Sequence, residues 1–96
     1  MGFVPQFKDD SVKIDYSRCT AIDVIAVFNQ ERKIKPLFFS IKNEYGDLCK
    51  VEIIGVKYTK EGKGCLSYCC TYKVGSVQRE CVLTYYLKEH LWVLEK

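Results

Sequence analysis

The stretch Asp23–Lys42 reads DVIAVFNQERKIKPLFFSIK, and its reading decides the fold. Two apolar runs, Val24 to Phe28 and Leu37 to Ile41, flank a polar and charged connector. β-Branched side chains fill much of the first run, and such residues pack best on a pleated strand. The connector, residues 29–33, suits a hairpin loop of the longer kind. Pro36 lacks an N–H and therefore belongs at a strand start or an edge position. Leu37, Phe39 and Ile41 then share one face, opposite Phe38 and Ser40. The competing reading is a helix over Ala21–Gln30, because Thr20 followed by Asp23 resembles a helix start. That helix would gather Ile22, Ile25 and Ala26 into a stripe that Asn29 interrupts. Residues 18–28 are read as strand, with helix as the open alternative.

On the N-terminal side, residues 1–11 are expected to be loosely ordered, since Pro5 and the Asp9-Asp10 pair discourage regular structure. Val12, Ile14 and Tyr16 alternate with Lys13 and Asp15, which predicts a short edge strand. On the C-terminal side, Asn43 to Asp47 is a turn with Gly46 available for a positive φ. Leu48 to Tyr58 is a strand whose alternation slips, Val51 and Ile53 holding one parity and Ile54, Val56 and Tyr58 the other. A β-bulge around Ile54-Gly55 absorbs that slip. After the polar loop Thr59 to Gly64, Cys65 to Val74 forms a strand with Leu66, Tyr68, Cys70, Tyr72 and Val74 on one face. Gly75-Ser76 has the glycine that a two-residue type II′ hairpin requires at its first central position. Val77 to Leu87 pairs back, with Cys81, Leu83, Tyr85 and Leu87 on one parity. Lys88 to His90 turns the chain into a last strand, Leu91 to Leu94.

Ninety-six residues suit a single domain, 1–96. Seven Tyr, five Phe and one Trp, with one Met, favour strands over a helical bundle. The expected fold is all-β: an antiparallel meander of five to seven strands, curling into a small, partly open barrel of the SH3-like kind or a curled sheet. A net charge of +3 argues solubility more than a strongly anionic partner. No secretory signal or membrane-length apolar run is present, and Gln6 breaks a myristoylation motif, so a cytoplasmic location is expected. Six cysteines in that compartment are read as free thiols.

The run DVIAVF, the charged connector, IKPLFF and the terminal LWVLE resemble small β-rich proteins of clostridial and related Gram-positive bacteria. The resemblance covers roughly residues 20–95. It implies a host range and a β-rich fold, and it brings no activity and no site residues.

Each candidate site has a plain structural alternative. Cys65, Cys69 and Cys70 approach the spacing of a zinc knuckle. Cys69 and Cys70, however, point to opposite faces of a strand, and a second pair would need Cys49, Cys81 or His90. A vicinal redox pair at Cys69-Cys70 would be strained, and core thiols are the simpler reading. His90, the one histidine, reads as a solvated turn residue. Arg32, Lys33 and Lys35, with Lys57, Lys60 and Lys63, form a candidate nucleic-acid surface if the two segments converge, with tyrosines for stacking. Glu31 and Glu61 dilute that charge. Tyr86 and Trp92 are the candidate protein-binding residues, chosen from an aromatic set that is otherwise expected to fill the core. No phosphate loop, nucleophile elbow or spaced carboxylate pair is present. The expectation is a non-enzymatic module without a cofactor, binding a protein partner or itself. Nucleic acid and a zinc- or redox-linked cysteine site are the alternatives.

Overall fold

The computed structural model describes residues 14–31 and 33–95. Six strands follow one another in chain order: β1 Cys19–Phe28, β2 Ile34–Lys42, β3 Leu48–Gly62, β4 Cys65–Val74, β5 Val77–Tyr86 and β6 Leu91–Glu95. Each pairs antiparallel with the next, and β1 returns to pair with β6, so the meander closes into a barrel. Of the two expected forms, a partly open barrel or a curled sheet, the chain takes the barrel, and its strand order is closed. Of residues 18–28, Arg18 ends a turn and 19–28 resolve as strand, because eight successive pairings hold the β-branched run from Ala21 to Phe28 against β6 and then β2.

β1 and β3 are the corners. Cys19–Ile22 of β1 pairs with β6, whereas Asp23–Phe28 pairs with β2. Phe38–Lys42 of β2 pairs with Leu48–Glu52 of β3, whereas Ile53–Gly62 of β3 pairs with β4. The β3 corner is made with bulges. Ile54 and Lys57 are extra residues against β4, between the rungs Ile53↔Tyr72 and Gly55↔Thr71, and between Val56↔Cys70 and Tyr58↔Cys69. The first bulge lies where the alternation slips. It brings Val56 into line with Val51 and Ile53, and the second turns Tyr58 outward again.

Phe39, Val51, Tyr68, Cys70 and Leu83 form the core, with Phe39 edge-on to Tyr72 at 5.3 Å between ring centroids. Leu83 is wholly buried, so truncation to Ala removes contacts worth about 2–5 kcal/mol. Leu37 does not join Phe39 in this core as its alternation predicts. β2 carries a bulge there, with Ile25↔Phe38 followed by Ala26↔Pro36, and Pro36 is buried in its place. The predicted strand Val12–Tyr16 is also corrected: Ile14 and Asp15 are not strand and Tyr16 enters a turn. Asp15 closes that turn, accepting hydrogen bonds from the Ser17 N–H and hydroxyl while its carbonyl accepts the Arg18 N–H. Val12 and the loosely ordered segment expected at 1–11 lie outside the described residues. Leu87 falls past the end of β5 and is exposed, not on the core parity.

Candidate protein-binding edge and basic cleft

β6 begins only at Leu91, because the chain turns over residues 87–90. His90 takes a φ of 53° in that turn, and its Nδ1 lies 3.2 Å from the Tyr85 hydroxyl. β6 meets β1 no further along than Ile22, so from Val24 to Phe28 no described strand pairs with β1 on the side away from β2. Ile25, Val27 and Phe28 on this length are 51%, 42% and 69% exposed. The extra residue of the neighbouring bulge belongs to β2, so β1 itself runs regularly. Its Ile25 neighbours Phe38, over whose ring the Lys50 ammonium stands at 4.5 Å. An unpaired, regular, apolar strand edge offers backbone N–H and C=O groups together with side chains that gain from burial.

A second opening lies at the β3 corner. The β2–β3 ladder ends at Phe38↔Glu52, yet β2 begins at Ile34 and β3 runs on to Gly62. Pro36 supplies no N–H two residues beyond the last rung, and Ile54 is displaced by its bulge on the facing strand. The diverging strands leave a cleft of about 460 Å³ lined by Lys33, Ile34, Thr59, Glu61, Leu66, Tyr68 and Leu87. The Tyr68 hydroxyl donates to the Ile34 carbonyl at 2.8 Å, in place of a ladder partner. Burial, and then Cys70, push that hydroxyl's pKa up.

Lys33 stands on one lip, and the hairpin carrying Lys60 and Lys63 forms the other, so the two basic segments do share one end of the barrel. Lys33, Lys35, Lys60 and Lys63 are exposed. Lys57 is committed elsewhere, to Glu80 at 2.8 Å, a solvent-exposed pair of small worth. Arg32 lies outside the described residues.

The aromatic candidates separate. Trp92 turns inward, its ring 4.9 Å from Tyr85 and 5.6 Å from Tyr68, so it is a packing residue of the barrel. The shortness of its strand hid that facing. Tyr86 lies on the outward parity beside Cys65 but is partly buried, and burial raises its hydroxyl pKa. The exposed residues of β1 were missed because alternation gives two faces and does not say where the neighbouring strand stops. The Lys88–His90 turn, which fixes the start of β6, was the available signal.

Cys69 and Cys70 do point apart. Cys69 approaches the Tyr58 hydroxyl on the outer face, whereas Cys70 meets its cross-strand partner Cys81 inside. The Cys70–Cys81 hydrogen bond, then burial, hold the Cys70 thiol far above its ordinary pKa, and the same bond lowers that of Cys81. All six cysteines are free thiols, and no three metal-ligating side chains converge among the described residues. Among these residues no helix is long and apolar enough to cross a membrane. No family model, curated protein or solved structure matches this chain.

Proposed function

We propose that the chain is a non-enzymatic binding module that engages a protein partner or itself by strand addition to β1. The carrying observation is that among the described residues no strand pairs with Val24 to Phe28 on the side away from β2, where Ile25, Val27 and Phe28 are exposed. A strand placed there completes backbone hydrogen bonds and covers apolar surface in one step. The six free thiols support a reducing compartment, and we place the module in the cytoplasm. The test is amide hydrogen exchange on the dilute chain with and without material captured from a lysate. Capture is expected to slow exchange at Val24–Phe28 and to be lost in Ile25→Lys/Val27→Lys. Unchanged exchange at these amides on capture overturns the reading.

A second reading is binding of single-stranded nucleic acid at the cleft, favoured by Lys33 and the Lys60–Lys63 hairpin lying on its two lips. It predicts a gel shift that weakens steeply with salt and is reduced by Lys33→Glu/Lys60→Glu. A shift absent at low ionic strength removes it.

A further inference from the structure

We propose that the occupant of the β1 edge is a second copy of this chain, the two β1 strands running antiparallel about a two-fold axis at Ala26. This rests on the strand-addition reading and names its partner. The edge is complementary to itself. Pairing about Ala26 sets Val24 against Phe28 and Ile25 against Val27, each twice, and uses only residues that β6 leaves unpaired. In an antiparallel pair, directly opposed residues project from the same face. Ile25 and Val27 of both copies therefore make one apolar strip on the outer face, and each exposed Phe28 is met by a Val24.

Charge selects this edge over the rest of the surface. Each copy carries a net +3, and the cleft lips carry lysines, so most approaches of two copies bring like charges together. Val24–Phe28 carries no charge, and the first charged residue beyond it, Asp23, falls opposite the neutral Asn29. A foreign strand gains the same backbone bonds, but the matching apolar register is supplied by the chain itself. The contact is isologous and closes at two copies. It joins β3, β2 and β1 of one copy to β1, β2 and β3 of the other in one continuous sheet and hides the edge that otherwise invites aggregation.

The experiment is light scattering on the full chain up to several hundred micromolar, with two charge-swapped variants. Wild type is expected to be dimeric. Ile25→Lys/Val27→Lys and Ile25→Glu/Val27→Glu are each expected to be monomeric, since position 25 faces position 27 of the partner. Their equimolar mixture is expected to recover the dimer. Circular dichroism matching wild type confirms that both variants fold. A monomeric wild type, a dimer of either variant alone, or a mixture that stays monomeric overturns the proposal. If wild type is monomeric but captured material still protects Val24–Phe28, strand addition to a foreign chain stands and only self-pairing falls. Absence of both ends the two together.

Discussion

Single residues set the turns, and two kinds of turn residue act by different physics. Gly75 has a φ of 63°, while an added Cβ there would meet nothing within 4 Å. Gly75→Ala therefore costs conformational energy alone, about 1–2 kcal/mol, seen as a lower denaturant midpoint with an unchanged m-value. The asparagines act by side-chain hydrogen bonding. Asn29 Oδ1 accepts the N–H groups of Glu31 and Lys33, each at 2.9 Å. Asn43 Oδ1 accepts those of Tyr45 and Asp47 at 2.8 and 3.0 Å. Both hairpin loops thus share one construction, an asparagine that organises the next four residues. Asn29→Ala and Asn43→Ala are each expected to lower stability by about 1 kcal/mol, and Asn→Asp to lose less, by the same denaturant titration. The glycine turn was legible in the sequence, because a two-residue loop between alternating runs leaves one choice. The twin asparagine turns were not: sequence shows polar connectors, and only the backbone path reveals which side chain closes them.

Among the elements, the informative ones are those that separate. Both causes of the β2–β3 divergence stood in the sequence, Pro36 as a residue unfit for a ladder and Ile54-Gly55 as a bulge. Their consequence was not legible, because it depends on the two sites falling beside each other across a pairing that spans only Phe38–Lys42 and Leu48–Glu52. The same limit hid the free edge of β1, which arises from where a strand distant in sequence begins. Tyr68 links the separated elements, so its hydroxyl has a task apart from the packing of its ring. Tyr68→Phe keeps the buried ring and deletes the bond to the Ile34 carbonyl. The expected loss is about 1 kcal/mol, with faster amide exchange at Ile34, Lys35 and Leu37. Tyr68→Ala removes the ring as well and is expected to cost about 3–5 kcal/mol. Equal losses in the two variants would mean that the hydroxyl, and not the ring, carries the residue's contribution.

For the whole molecule, the buried thiols and tyrosine fix how stability responds to alkali. The Cys70 thiol is held protonated by its hydrogen bond to Cys81 and by burial, and the Tyr68 hydroxyl by burial. In the unfolded chain these groups release their protons near about pH 9 and pH 10. Above about pH 9 the native state then binds more protons than the unfolded one, and stability falls as pH rises. Below that pH both states keep these protons, and the two groups contribute no slope. Cys81 has the opposite sign, but its contribution is complete once the unfolded thiol has ionised, so it adds no slope above about pH 9. Urea midpoints at about pH 9 and at about pH 10 should therefore differ more for wild type than for Cys70→Ala, whatever that truncation costs at the lower pH. Equal differences would show that the thiol at the centre of the barrel does not govern the alkaline limb. A second comparison separates this from the β1 edge. That edge carries no titratable side chain between Val24 and Phe28, so dimerisation through it is expected to persist at any alkaline pH at which the native barrel survives.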